Sequence, residues 1–452
     1  MLTAAELRRA LGPELLSERR GAARVFSGVN NDSRKVRPGE LFVALKTETR
    51  DGHDFVAHAV EAGAAGLVVS RTVEAPASVS VFLVRNTQTA LGEIARYWRS
   101  RFLLRAVVVT GSVGKTTTKE LIAAVLRSEH DVLKSPANFN DEVGVSMTLL
   151  QLESRHDRAV IEVGMFAEGE IRRLCEIVKP DIGVVMNVGP VHLERLGSIE
   201  AIARAKSEAV QDLPWTGNAI LNHDDPLVEA MRAKTKARVM TFGLTPGAAI
   251  RGTNVRSRGL DGVDFEVSAF GRTLQAHSPL PGADLVPNAL AALAVAFADG
   301  MSLEQAVKAL REARVPARLQ VKRARSGALV LDDCYNASPA SMFAALAVLA
   351  ETKGRHIALL GDMLELGAAE ADSHRAVGRR AAEVAQVLYT VGTRAEMIGA
   401  AAREAGAPCV RHFDSKEEAA AALAREAREG DVVLVKASHG MALESVVAEL
   451  VG

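Results

Sequence analysis

Residues 106–120 read Ala-Val-Val-Val-Thr-Gly-Ser-Val-Gly-Lys-Thr-Thr-Thr-Lys-Glu, and these types at this spacing suit one chemistry, the gripping of a polyphosphate. Gly111 and Gly114 let the backbone curl, so that N–H groups through Ser112 and Val113 turn inward on anionic oxygens. A helix opening near Lys115 adds the positive end of its dipole to the same spot. Lys115 supplies a mobile cation for the outer phosphates, the Thr116 hydroxyl suits a Mg²⁺ ligand, and Thr117 follows in the first helical turn. The general Gly-x-x-x-x-Gly-Lys-[Ser/Thr] pattern would put its first glycine at position 109, which is a valine here. Two glycines can also mark an ordinary strand-to-helix turn. Gly-Lys-Thr straight after a valine run argues instead for an ATP or GTP site.

Other residues could add chemistry to that loop. Glu162 ends a short apolar run, Ala159-Val160-Ile161, and a carboxylate at a neighbouring strand end suits Mg²⁺, which takes oxygen ligands and bridges to phosphates. A solvated strand-end acid is the plainer alternative. His192 lies in a loop after another run, Ile182 to Met186, and by spacing alone it reads as a surface or packing residue. Lys206 falls on a helix after that loop, and by itself reads as a surface lysine. Asn138 and Asn140 open one helix and Asn288 heads another, positions that helix capping already explains. Asn222 with Asp224-Asp225 follows the run Ala219-Ile220-Leu221. Near the N-terminus, Asn31-Asp32-Ser33-Arg34 and Asp51-Gly52-His53-Asp54 flank the run Leu41 to Leu45; both clusters suit turns as well as ligand contacts.

These residues need elements to hold them. The 452 residues allow two to four domains, and abundant Ala, Val and Leu with few aromatics fit helices covering parallel sheets. The reading is an α/β chain of three domains. Residues 1–98 form a small α/β unit with strands at Leu41–Leu45 and Gly66–Val69, a helix from Phe55 to Ala62, and a helix from Leu91 to Phe102 leading onward. Residues 99–313 form a central phosphate-loop domain with a mainly parallel sheet, which binds ligands at the carboxyl ends of its strands. Residues 314–452 form a Rossmann-like α/β domain with strands at Ala328–Leu331, Ile357–Leu360, Val387–Val391 and Val432–Val435, behind a hinge at 314–318. Lys plus Arg balances Asp plus Glu at 55 each, which offers no general surface for nucleic acid or anionic membrane. Cys175, Cys334 and Cys409 are scattered without metal spacing, and the first ten residues lack a signal-peptide core, so a cytoplasmic enzyme without a membrane span is expected.

The segments together resemble the ATP-dependent Mur ligases of peptidoglycan precursor synthesis. The resemblance rests on the phosphate loop with its shortened spacing, Asn138-Phe139-Asn140, Glu162-Val163-Gly164-Met165, Asn187-Val188-Gly189-Pro190-Val191-His192 and Ala205-Lys206-Ser207-Glu208. It extends through Asp332-Asp333-Cys334-Tyr335-Asn336-Ala337-Ser338-Pro339 and Gly361-Asp362-Met363-Leu364-Glu365-Leu366-Gly367, which look like the branch that adds D-alanyl-D-alanine to UDP-N-acetylmuramoyl-tripeptide. Asp32-Ser33-Arg34 and Asp51-Gly52-His53-Asp54-Phe55 agree with that branch.

The resemblance implies roles that spacing alone does not. Lys206 would be carbamylated by CO₂ and join Glu162 and His192 around a second Mg²⁺, the first lying near Thr116 and Glu162. Asn138 would serve in the catalytic centre, Asn288 would meet adenine, Arg318 phosphate and Asp333 ribose. Ser33, Arg34, Asp51, Gly52 and His53 would hold the UDP-muramyl part, and Tyr335, Asn336, Lys436 and Ser438 the incoming dipeptide. ATP and two Mg²⁺ are the implied cofactors, and a monomer is expected. The chain departs from the family at Gly282-Ala283-Asp284-Leu285, where a Gly-x-His-Asn is usual, at Lys436-Ala437-Ser438-His439, where Lys-Gly-Ser-Arg is usual, and at Thr47 in place of a glycine. Rival readings are a Mur ligase with another amino-acid acceptor, against which stands the lack of an Asp-Asn-Pro-Arg motif, a folylpolyglutamate synthetase, and a phosphate-loop switch that performs no ligation.

Overall fold

The computed structural model describes residues 1–47, 49–190, 196–315 and 319–452. His192 and Arg318 therefore lie outside the described residues. Among the described residues three large sheets organise the chain, each covered by helices, and a short two-stranded ladder pairs Leu2–Thr3 with Val25–Phe26.

The first sheet contains β1 (Leu15–Arg19), β2 (Val29–Asn30), β3 (Leu41–Val43), β4 (Gly66–Val69) and β5 (Ser80–Val84) in the order β1-β5-β4-β3-β2, parallel except for β1. Helix α1 (Thr87–Arg99) leads away from it. This helix begins four residues before the apolar pattern suggests, because the Asn86 side chain accepts from the Gln88 and Thr89 N–H groups and so fixes the first turn.

The central sheet has nine strands: β6 (Arg105–Thr110), β7 (Val132–Lys134), β8 (Arg158–Glu162), β9 (Ile182–Val185), β10 (Asn218–Asn222), β11 (Arg238–Gly243), β12 (Ile250–Ser257), β13 (Val263–Ala269) and β14 (Arg272–Ser278). Their order is β14-β13-β12-β11-β10-β9-β6-β8-β7, parallel from β7 to β12, with an antiparallel hairpin at the far edge. The chain order reverses beside β6, so the loops leaving β6, β8 and β9 open on one crevice. Ala106 and Val108 of β6 with Ala159 and Ile161 of β8 face one helical layer, and Val107 and Val109 with Val160 face the other, so the inward side chains there are Ala, Val or Ile until the strand ends. Helices α2 (Lys115–Leu126) and α6 (Val286–Asp299) cover one face. Ala289 to Ala296 in α6 are fully buried, which the small alanine side chains permit by letting α6 lie close to both α2 and the sheet. Helices α3 (Glu142–Leu149), α4 (Glu170–Val178) and α5 (Ile199–Gln211) cover the other face.

The last sheet runs β15 (Gln320–Arg323), β16 (Leu329–Asp332), β20 (Asp431–Lys436), β17 (Arg355–Gly361), β18 (Val387–Val391), β19 (Val410–Phe413), parallel apart from β15. No helix among the described residues is long and apolar enough to cross a membrane.

Candidate active site

The β6 strand ends at Thr110 and α2 starts at Lys115, and the four residues between form a tight cradle. Gly114 has φ +83°, a left-handed conformation that a side chain would strain, and a Cβ there would stand 2.8 Å from the Asn288 Nδ2. The loop is laced to the segment after β9. The Asn187 Oδ1 accepts from the Val113 N–H at 2.9 Å while its Nδ2 donates to the Val113 carbonyl at 3.0 Å. Ser112 donates its N–H to the Asn187 carbonyl at 3.1 Å, and its hydroxyl bridges to the Gly189 N–H and carbonyl. From the next strand, the Asn222 Nδ2 donates to the Met186 carbonyl and the Asp225 carboxylate accepts from the Val188 N–H at 2.7 Å. The Lys115 Nζ folds back onto the Gly111 and Ser112 carbonyls at 2.8 and 3.3 Å. A mobile ammonium above a cradle of N–H groups is the arrangement that receives a polyphosphate.

Asn288 is buried, and its Nδ2 donates to the Gly114 carbonyl at 3.1 Å and the Thr118 hydroxyl at 2.8 Å. Its amide nitrogen thus braces the phosphate loop from α6.

At the end of β8, Glu162 is 1 % exposed. Its Oε1 accepts from the Asn140 Nδ2 at 2.8 Å, its N–H donates to the Ser135 hydroxyl at 3.0 Å, and its Oε2 has no hydrogen-bond donor. The Lys119 ammonium lies 3.8 Å from that oxygen. Burial lowers the Lys119 pKa, and the Glu162 and Glu120 carboxylates counter it. Asn138 is exposed in the loop between Ser135 and Asn140, and Ala137 beside it has φ +41°. On α5, Lys206 is buried at 3 % exposure. Burial, and then the nearby charge of Lys115, push its pKa well below the ordinary lysine value, which favours the free amine. Two residues on, the Glu208 carboxylate accepts from the Gly169 and Arg172 N–H groups, capping α4 where Gly169 offers no side chain.

Among the described residues, no three His, Cys, Asp or Glu side chains form a metal cluster. A divalent cation fits nonetheless: Glu162 Oε2 is a buried carboxylate oxygen whose lone pairs no donor fills, on the strand next to the phosphate loop that carries Thr116.

The first-domain candidates divide. Arg34 reaches outward, three-quarters exposed, with its guanidinium clamped by the Asp32 carboxylate at 2.9 Å; Arg34 in turn holds the Asp32 pKa down to about 2. Ser33 is buried, its hydroxyl 3.0 Å from the His58 Nδ1. His53 is buried too, with Nδ1 2.5 Å from the Asp51 carboxylate and Nε2 accepting from the Ser70 N–H at 2.9 Å. Both ring nitrogens are engaged inside the protein, so His53 shapes the loop of Asp51 and Gly52 from behind. In the last sheet, Asp333, Asn336, Lys436 and Ser438 come together. The Lys436 Nζ meets the Asp333 carboxylate at 2.7 Å and donates to the Asn336 carbonyl at 2.8 Å, and the Ser438 hydroxyl accepts from the Leu364 N–H. Asp333 and Lys436 are both buried, whereas Asn336 is exposed and the Tyr335 ring stands 6.1 Å from that of His439.

Sequence reasoning missed Lys119, Ser135 and Glu208. The available signal was Lys119 itself, a charged residue at a helical position four after Lys115 on a helix whose next turn, Leu121 and Ile122, is apolar.

Three family models match the chain: the Mur ligase middle domain over residues 109–296, the Mur ligase glutamate ligase domain over 317–439, and the Mur ligase family catalytic domain over 25–99. A UDP-N-acetylmuramoyl-tripeptide–D-alanyl-D-alanine ligase of Bacillus subtilis is 36 % identical over 434 residues, covering 94 % of this chain and 93 % of its own. Among solved structures, a crystal structure of MurF from Acinetobacter baumannii superimposes with a TM-score of 0.90 at 31 % identity, covering 99 % of this chain and 98 % of that one. MurF ligase from Thermotoga maritima in complex with ADP gives a TM-score of 0.82 at 30 % identity, covering 94 % and 96 %.

Proposed function

The chain belongs to the Mur ligase family, and from that premise we infer that it joins D-alanyl-D-alanine to UDP-N-acetylmuramoyl-tripeptide with the consumption of ATP, giving the pentapeptide precursor of peptidoglycan. The observation that carries the reading is the match to such ligases along 94 % of the chain, and a phosphate loop, a buried carboxylate at Glu162 and a buried amine at Lys206 support it.

The γ-phosphoryl group of ATP passes to the C-terminal carboxylate of the tripeptide, leaving ADP and an acyl phosphate. The dipeptide amine attacks the activated carbonyl, the tetrahedral intermediate expels phosphate, and the amine loses its proton. No side-chain nucleophile is required. The chain's residues supply position and charge: the N–H groups of Ser112 and Val113 and the Lys115 ammonium grip the β- and γ-phosphates, and Asn187 and Asn288 keep the loop in shape for them. Thr116 and Glu162 would hold one Mg²⁺, and Glu162, His192 and carbamylated Lys206 a second. Bound there, magnesium would offset the negative charge of triphosphate and carboxylate. A buried amine that stays unprotonated is the species that CO₂ can carbamylate, and burial of Lys206 supports that assignment.

Asn138, exposed in its loop, would stand beside the reacting groups. Residues 1–98, through Arg34 and the loop at Asp51 and Gly52, would receive the UDP-muramyl part, with Ser33 and His53 fixing those loops. Residues 99–313 would bind ATP. Residues 314–452 would bring the dipeptide through Tyr335, Asn336 and the Lys436–Ser438 loop, and Asp333 and Arg318 would reach the nucleotide. Closure of this last unit would exclude the water that hydrolyses acyl phosphates. A single chain suffices for the reaction, which belongs in the cytoplasm with its ATP.

Phosphate release tests the reading. It should require ATP, UDP-muramyl-tripeptide and D-alanyl-D-alanine together, and fall with Lys206→Ala. Release indifferent to the dipeptide would point to another acceptor, and no release with any acceptor to a switch.

A further inference from the structure

Lys119 is fully buried one helical turn below Lys115, a costly place for an ammonium unless its charge and all its protons are accommodated. They are. The Nζ donates to the Ser135 carbonyl at 2.8 Å and the Ala137 carbonyl at 2.6 Å, and lies 3.2 Å from the Glu120 Oε1, which uses its three protons. Glu120 also pairs with Lys134 at the end of β7, so the Glu120 charge is shared. What remains for Glu162 is charge alone: its Oε2 is 3.8 Å from the ammonium and accepts no hydrogen bond. The arrangement keeps a buried carboxylate neutralised while leaving that oxygen's lone pairs open.

The same ammonium fixes the backbone that leads to Asn138. Ala137, next to it, sits at φ +41°, a left-handed conformation that strains a non-glycine residue, and its carbonyl is one of the two that Lys119 holds. Beyond it, Asn140 donates to Glu162 Oε1, and the Asn140 carbonyl accepts from the Gly164 N–H at 2.8 Å. The loop of 135–140 and the end of β8 thus form one hydrogen-bonded unit with Lys119 at its centre.

We propose that Lys119 is a positioning residue of the ligation centre, which presents Glu162 and Asn138 to the nucleotide and its cation as a single preformed unit. This deepens the reading given under Proposed function and rests on it for the role of Glu162. It predicts that Lys119 acts through Glu162.

The test is a double-mutant cycle on the full-length protein with Lys119→Met, Glu162→Gln and the pair. The first readout is the Kd of Mn²⁺ for the ADP complex, followed by electron paramagnetic resonance. The second is hydrogen–deuterium exchange across 135–144 in protein free of metal and nucleotide. Lys119→Met should weaken Mn²⁺ binding by about tenfold and speed exchange in that segment. In the Glu162→Gln background it should weaken Mn²⁺ no further. Should Lys119→Met not fold, Lys119→Gln carries the same cycle, since it keeps a donor for the two carbonyls but no charge. Unchanged exchange in 135–144, or Mn²⁺ losses that simply add, would overturn the proposal. The exchange readout involves neither metal nor substrate, so it judges Lys119 separately from the ligase reading, which the dipeptide dependence of the unaltered enzyme judges.

Discussion

Lys206 sets function against stability, and Lys206→Met separates them. The side chain projects from α5, a helix that also buries Ile202, Ala205 and Ala209, and it is 3 % exposed. Burial is the largest cause of its lowered pKa and the Lys115 charge the next, and among the described residues no carboxylate offsets them. A buried amine lacking full hydrogen-bond compensation costs about 1–3 kcal/mol. Methionine has nearly the same length and shape with no polar end, so the substitution should stabilise the free protein by about 1–2 kcal/mol, or about 2–4 °C per kcal/mol for a unit of this size. The pH dependence has a definite sign. The folded-state pKa lies below that of the unfolded chain, so between the two values the unfolded chain binds more protons and wild-type stability rises with pH. The advantage of the variant should therefore be largest at and below the depressed pKa and shrink, above the ordinary lysine value of about 10.4, to the cost of burying the uncharged amine alone. Differential scanning calorimetry in bicarbonate-free buffer across that range measures it. Added bicarbonate should raise the wild-type transition by mass action and leave the variant unmoved, while ligation by the variant falls about a hundredfold. A variant that melts at or below wild type at neutral pH would refute the reasoning, because the amine would then be stabilising in the free protein.

Other substitutions follow from the same geometry. Gly114→Ala meets both a left-handed φ and the Asn288 Nδ2 at 2.8 Å, so ADP affinity by calorimetry should drop about tenfold for a strain of 1–2 kcal/mol, and unchanged affinity would sink the cradle argument. Asn187→Leu keeps the branched outline but loses both bonds to Val113; the KM for ATP should rise about tenfold in the phosphate-release assay, and an unaltered KM would show that the loop holds its shape unaided. Asp431 is held below the usual carboxylate range first by its hydrogen bonds from the Arg355 guanidinium. Its contribution is thus complete above that range and lost as pH falls through the lowered pKa, and Asp431→Asn should flatten the acid limb of thermal stability below about pH 4. An acid limb identical in the two proteins would remove Asp431 as its source.

What the chain discloses before folding follows from the geometry of parallel sheets. Strands buried on both faces must be runs of Val, Ile, Ala and Leu, so the strands at Arg105–Thr110, Arg158–Glu162, Ile182–Val185 and Val387–Val391 stand out, and the polar residue after each is legible as a candidate. Strands with one solvated face stand out less. The hairpin of Val263–Ala269 and Arg272–Ser278 alternates buried with part-exposed residues and carries Arg, Gln and Glu, and it escapes a search for apolar runs. Strand-end identity also stops short of contact. Asn187, Asn222 and Asp225 could be placed near the phosphate loop, but that the Asn187 amide pairs with both backbone groups of Val113 depends on loop conformations that no spacing encodes. Asn288 shows the same limit, since its helix is 170 residues from Thr118 in the chain and its contact is a product of α6 lying against α2. Lys119 is the sharpest case. By type it reads as a solvated residue, and only the convergence of two loop carbonyls and two carboxylates on one buried point makes its charge tenable there. Where composition favours water and the fold denies it, the compensating partners come from elsewhere in the chain, and such residues are the ones that sequence alone assigns to the surface.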